Sequence, residues 1–260
     1  MDISHLVIFA VCGLVAGLLS GVLGIGGGII LVPIIKSLGY SPVEAVATSS
    51  MAIVMTSISG SLQNYRMGKL DFKKVILLGL PSFMTARIGV WLTSLFPAYL
   101  LLVAFSIFLI INIFLSNFRR TLAKQKEIKS KLTVNPIIAY LGTGGLTGVL
   151  AGLFGIGGGV ILVPLQMLLL GANIKSAIQT SLGVIVITSI SATWGHANQG
   201  NVLFIEGILL GSFGLIGAQV STRFLPRLPE KIVSLLFTIL LVIISLYMLY
   251  QAYGLYQMQN

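Results

Sequence analysis

The chain has 260 residues, of which 56% are hydrophobic and 8% charged, and its mean hydropathy is +1.03. That balance excludes a soluble globular domain, and a lone cysteine, Cys12, excludes disulfides, a thiolate metal site and a two-thiol relay. The net charge of +10 does not point to nucleic acid, because the lysines and arginines cluster in polar gaps between apolar runs.

A membrane-crossing helix needs roughly 20 mainly apolar residues, since the hydrocarbon core is about 30 Å thick. In chain order, the apolar segments are 5–23, 27–40, 43–63, 75–95, 98–117, 136–154, 158–172, 174–194, 203–222 and 232–250. All are read as helices, because an open strand edge is not tolerated in lipid. The first segment lacks a basic leader and a small-residue cleavage site, so it is read as a retained helix, and Cys12 within it as a packing residue. The stretch 118–135 carries Arg119, Arg120, Lys124, Lys126, Lys129 and Lys131 and reads as a basic cytoplasmic linker between two transmembrane repeats, 1–117 and 136–260.

The repeat is visible directly. GVLGIGGGIILVP at 21–33 returns as GLFGIGGGVILVP at 152–164, differing only at 22/153, 23/154 and 29/160. Carrying the same separation forward aligns Ser49 and Ser50 with Thr180 and Ser181; after a one-residue shift, Gly68, Gly79, Ala86 and Pro97 align with Gly200, Gly211, Ala218 and Pro229. Internal duplication of this kind is a signature of secondary transporters.

Charge sets the relative orientation of the copies. If the glycine-rich segment and its predecessor form two crossings or one re-entrant hairpin, each copy crosses an odd number of times and the copies are inverted. Every basic residue except Lys36 and Arg87 then lies on one side, the cytoplasm, with both termini on the other. Counting the pair as one crossing moves Lys175 and the 223–231 cluster outside, a poorer fit. The expected fold is therefore an all-α polytopic membrane protein of two inverted repeats, each a glycine-broken helix or re-entrant hairpin followed by three transmembrane helices.

Two glycine classes appear. Gly13, Gly17 and Gly21, like Gly144, Gly148 and Gly152, recur every four residues and give a bare ridge for close helix packing. Gly24, Gly26, Gly27 and Gly28, like Gly155, Gly157, Gly158 and Gly159, break the helix and start a new one. Free N–H groups at Gly26, Gly27, Gly28 and at Gly157, Gly158, Gly159 suit an anion at a half-helix N-terminus. Thr48, Ser49, Ser50, Thr180 and Ser181 open the following helices with hydroxyls placed to join such a site. Arg87, in the middle of an apolar segment with no intramembrane acid to pair it, is the candidate buried cation; its repeat counterpart is Gln219. Gln63, Asn64, Trp194 and His196 end two corresponding helices and are candidate pathway residues. The glycine loop is no nucleotide-binding loop, since it follows a membrane helix rather than a strand, and no HExxH, GxSxG or paired intramembrane carboxylates suggest an enzyme.

The doubled GxxGIGGGxxxVP segment, the T-S-S and T-S-L-G stretches that follow it and the chain length resemble the sulfite exporter TauE/SafE family of membrane transporters, over essentially the whole chain. The resemblance implies a secondary transporter, an exporter, of sulfur-containing anions such as sulfite, thiosulfate or organosulfonates, in the cell (inner) membrane. The anion would be held near the midplane between the two glycine turns and exposed by alternating access. An anion channel, or a carrier of another small anion, is the alternative. The implied partners are the small anion and the lipid bilayer, with no nucleic acid and no cofactor. A homodimer through exposed glycine faces and a coupling ion are left open; a proton would have to use His196, Glu44, Glu206 or the substrate itself.

Overall fold

A computed structural model describes residues 3–124 and 135–259. The described residues form ten α-helices and one short 3-10 turn: α1 Ile3–Leu23, α2 Gly28–Ser37, α3 Pro42–Arg66, α4 Phe72–Thr93, α5 Ala98–Lys124, α6 Pro136–Phe154, α7 Gly159–Leu169, α8 Ile174–Asn198, α9 Phe204–Phe224 and α10 Glu230–Gln259. Seven of these helices are long and apolar enough to cross a membrane. α5 continues past residue 117 into the expected linker, and 125–134 lie outside the described residues.

Local chemistry sets the helix starts. Ser41 caps α3 through a reciprocal pair of bonds with Glu44, Asp71 caps α4, and Asn173 caps α8 at the Ser176 N–H. The glycine turns break the first helix of each copy. Gly24, Gly26 and Gly27 have φ of 67, 73 and 89°, and Gly155, Gly157 and Gly158 have 64, 70 and 80°, a region L side chains rarely enter.

Contact registers give the topology. α1 runs beside α9 in the same direction, with Gly13 at Leu210, Gly17 at Gly214 and Gly21 at Ser221 and Thr222. α9 in turn runs in the same direction as α3, with Gly207 at Met51, Gly211 at Met55 and Gln219 at Gln63. Helices α1 and α3 thus point the same way, so the chain must return between them. The short α2 does this: a β-carbon on Gly27 would lie 3.0 Å from the Ala16 carbonyl oxygen, back along α1. At 10 residues α2 is about 15 Å long, half the hydrocarbon thickness. The α1–α2 element is therefore a helical hairpin that enters and leaves on one side of the bundle, and α6–α7 repeats it, with Gly158 folded back on Thr147 and Ala151.

The second copy mirrors the first. Gly144, Gly148 and Gly152 of α6 meet Leu78, Ser82 and Ala86 of α4, and α4 runs in the same direction as α8. Since α3 and α4 are joined by a tight turn and run oppositely, α3 and α8 also run oppositely. The bonds Ser59 Oγ to Leu215 O (2.8 Å) and Ser191 Oγ to Phe83 O (2.7 Å) are equivalents in the two copies. They fix one correction to the sequence alignment. Ser49 corresponds to Ser181, not to Thr180, because α7 has 11 residues where α2 has 10.

Each glycine ridge is covered by a helix of the other copy, so these ridges are not exposed faces for a homodimer. α5 packs beside α10, where Leu102, Phe105, Leu109, Phe237, Leu241 and Met248 join the apolar core. The outer surface is apolar, with Leu80, Met84, Ile205 and Leu246 among its most exposed side chains, while Ser49, Ser57, Thr188 and Asn64 are buried. That inversion is expected where lipid is the solvent.

A β-carbon on Gly17 would fall 2.0 Å from the Gly214 carbonyl oxygen and one on Gly148 2.2 Å from that of Ser82, whereas one on Gly142 would meet nothing within 4 Å. Gly17→Val and Gly148→Val are expected to cost at least about 1–3 kcal/mol and lower the melting temperature in detergent. Gly142→Ala is expected to leave it unchanged; equal effects at all three positions would refute the ridge assignment.

Candidate functional site

The two glycine turns lie against each other in the core of the bundle. A β-carbon on Gly28 would sit 2.4 Å from the Gly155 carbonyl oxygen and one on Gly159 2.1 Å from that of Gly24. The starts of α2 and α7 thus face one another across the pseudo-twofold. Ile30 and Leu31 N–H both donate to Gly27 O, and Ile161 and Leu162 N–H both donate to Gly158 O. This leaves the N–H groups of Gly28, Ile29, Gly159 and Val160 without an intrahelical acceptor, at the positive ends of two helices.

The predicted hydroxyls are brought to these turns, and they bind the protein's own backbone. Ser49 Oγ donates to Gly155 O (2.7 Å) and Ser181 Oγ to Gly24 O (2.7 Å), each serine reaching the turn of the other copy. Ser50 Oγ bonds Val46 O in its own helix, and Thr48 Oγ1 accepts the Leu203 N–H at 3.1 Å. Thr180 is buried one residue before Ser181. These serines position the turns: they satisfy carbonyls that would otherwise be unpaired at membrane depth.

Sequence reasoning missed three residues at this centre. Thr56 Oγ1 donates to Gly26 O at 2.8 Å. Ile53 and Ile185 both pack over both turns, with Cγ2 atoms 2.8–3.1 Å from where β-carbons of Gly26 and Gly157 would be, so the space between the turns is filled by apolar side chains. Their spacing held the signal: Ser49, Ile53 and Thr56 follow at i, i+4 and i+7, one face of a helix.

Other candidates lie elsewhere. Arg87 is exposed on the outside of α4, its guanidinium 5.3 Å from the ring centre of Trp194, which is 55% exposed. The expectation of a buried cation is corrected: Arg87 sits on the outer face of its helix and is partnered by an aromatic ring. Trp194 likewise lies on the outer surface and lines no internal path. Gln63 is buried, and its Oε1 accepts from Gln219 Nε2 (2.9 Å) and Arg223 Nε (3.2 Å), while Gln219 Oε1 accepts from Ser59. Asn64 and His196 are fully buried at corresponding places, and His196 Nε2 lies 3.1 Å from Gly152 O.

One face of the bundle carries an open cavity. A cavity of about 500 Å³ is lined by Lys69, Asp71, Asn173, Lys175, Gln179 and Glu230, among others, which brings the 67–71, 170–173 and 225–229 loops to one face. Its floor at Gln179 adjoins Ile178, whose Cα would be 2.9 Å from a β-carbon on Gly24. On the opposite face, Glu44 caps α3 and Glu206 accepts the Tyr40 hydroxyl at 3.2 Å.

Ser49→Ala and Ser181→Ala each leave a buried carbonyl without its donor, for an expected loss of about 1–3 kcal/mol in thermal or denaturant unfolding. Arg87→Gln, which installs the residue found at the equivalent position 219, is expected to stay within about 0.5 kcal/mol of the parent; a loss as large as that of the serine variants would return Arg87 to the core.

Known proteins match most of the chain. A probable membrane transporter protein of Bacillus subtilis (strain 168), YunE, is 27% identical over 94% of this chain and 97% of its own. A second from that organism, YjnA, is 28% identical over 83% of this chain and 90% of its own, and a probable membrane transporter protein of Methanocaldococcus jannaschii is 28% identical over 76% and 74%. No solved structure matches. The profile of the sulfite exporter TauE/SafE family matches residues 9–248, and the chain belongs to that family of multi-pass membrane transporters.

Proposed function

We propose that this protein is a secondary transporter, and not an enzyme, that exports a sulfur-containing anion such as sulfite, thiosulfate or an organosulfonate across the cell (inner) membrane. The observation that carries the reading is the juxtaposition of two half-helix N-termini, at Gly28 and Gly159, on opposed and interlocked glycine turns. Backbone N–H donors and helix dipoles hold an anion without a fixed countercharge, so the ion can also leave. Gly26, Gly27 and Gly28 with Gly157, Gly158 and Gly159 form the binding backbone; Thr48, Ser49, Ser50, Thr180 and Ser181 shape it.

Ile53 and Ile185 close the space between the turns, so the conformation described here is an occluded one. Parting them toward the cavity at Gln179 opens the centre to one side, and the equivalent movement toward Val46 opens it to the other. Inverted copies make these two movements near mirror images, the physical basis of alternating access. The basic loops mark the cavity side as cytoplasmic, with both termini on the far side.

Reconstituted in proteoliposomes, the protein is expected to give saturable flux of at least one sulfur oxyanion or organosulfonate, with counterflow. Conductance without saturation or counterflow would make it a channel, and no flux of any such anion would refute the substrate class. A reporter fused after Asn260 is expected to give an extracytoplasmic signal; a cytoplasmic one would overturn the orientation.

A further inference from the structure

The break between α1 and α2 has two sides, the N–H groups that start α2 and the carbonyls that end α1. Gly24 N–H makes the last helical bond, to Ser20 O, so the carbonyls of Gly21, Val22 and Leu23 extend beyond the final turn at the negative end of the helix. Thr222 of α9 lies at this end: its Oγ1 is 2.6 Å from the position of a β-carbon on Gly21 and 3.3 Å from that on Gly60 of α3. Asn64 is one turn beyond Gly60 on the same face of α3. Its equivalent, His196, contacts Gly152, the equivalent of Gly21, so by the pseudosymmetry of the copies Asn64 lies toward the same end of α1 without bonding it.

Four side chains here have no protein partner although they are buried: Ser20, Ser61, Asn64 and Thr222, with Ser20, Asn64 and Thr222 at 0% exposure. Neither the nitrogen nor the oxygen of the Asn64 amide is bonded. A native core seldom leaves one such group unmet; here Ser20 precedes Gly21, Ser61 follows Gly60 and Thr222 Oγ1 lies beside both glycines, so four such groups fall within a turn of one three-helix contact, a density that calls for a ligand. We propose that Ser20, Ser61, Asn64 and Thr222, with the carbonyl end of α1, bind a monovalent alkali cation that accompanies the anion. This rests on the transport reading given above and supplies its coupling ion.

The chemistry selects the class. Every candidate ligand is a neutral oxygen, the preference of a hard cation, and helix carbonyl ends favour positive charge and disfavour anions. No carboxylate shares the site: Glu44, Asp71, Glu206 and Glu230 all sit at helix starts. One positive charge is therefore the most that uncharged oxygens balance. Arg223, next in sequence, is exposed and is engaged with Gln63.

The second copy is a built-in control. Ala151, Thr193, His196 and Val90 stand where the first has Ser20, Ser61, Asn64 and Thr222; Thr193 Oγ1 and His196 Nδ1 are unpartnered there too, but only Thr193 keeps a side-chain oxygen. The fold already accommodates alanine and valine at two of these places, so Ser20→Ala with Thr222→Val is a substitution it tolerates.

The test is thermal unfolding of the purified protein in sodium, potassium or choline chloride, without any sulfur anion. Sodium or potassium is expected to raise the melting temperature by about 3 °C or more over choline, the larger shift identifying the ion. The Ser20→Ala/Thr222→Val variant is expected to melt near the parent in choline and to lose that increment; Thr222→Val alone is expected to lose at least half. Identical melting in all three salts, as a buried water would give, overturns the proposal. So does an increment that survives the double variant, or stabilisation by sulfite in choline that the variant abolishes. Because no substrate anion is needed, absence of sulfur-anion flux would leave this result standing, and absence of the cation shift would leave the flux result standing.

Discussion

Backbone that is not helical can exist at membrane depth only if its polar groups find partners inside the protein. Everything distinctive here follows from how two such stretches meet that requirement. The turns at 24–27 and 155–158 give their carbonyls to Ser181, Thr56 and Ser49, and each serine comes from the opposite copy. A turn in one half is thus completed by a helix in the other. The N–H groups of the helix starts are not consumed in this exchange, and the proposed anion site rests on that imbalance of satisfied acceptors and unused donors.

Packing serves the same end. Two rows of glycine let α1 and α6 approach α9 and α4 until backbone touches backbone, which holds the turns deep in the bundle without large side chains in the way. The apolar residues at the centre, Ile53 and Ile185, are single side chains on long helices and can withdraw with them. Polar side chains that would be expensive against lipid are turned inward, and the few cations within the spans, such as Arg87, find aromatic or interfacial surroundings.

Much of this was legible in the sequence, for physical reasons. Four glycines within five residues cannot continue a helix, a motif recurring across the whole chain signals duplication, and the distribution of lysine and arginine constrains crossing parity. Less could be read where an answer depends on rotation about a helix axis. Arg87 is central along its segment, but the sequence does not say which azimuth is covered, and the structure turns it outward. Ser49 and Ser181 were identified as neighbours of the turns; that they donate to carbonyls of the opposite copy needed the three-dimensional register. One extra residue in α7 displaces the alignment of the very serines that bond across the copies. Ile53, one isoleucine in a membrane helix, carries no compositional signal, and only its spacing from Ser49 and Thr56 marks it.

The exchange of partners between the halves also bears on how the molecule is made. Helix α1 is synthesised well before α9, the helix on whose surface it packs. Until then its glycine face and the unpaired turn that follows have no mate, and neither half is a self-sufficient folding unit. The chain is in this sense a fused, interdigitated pair, and the contact of α1 with α9 can close only once α9 has been made.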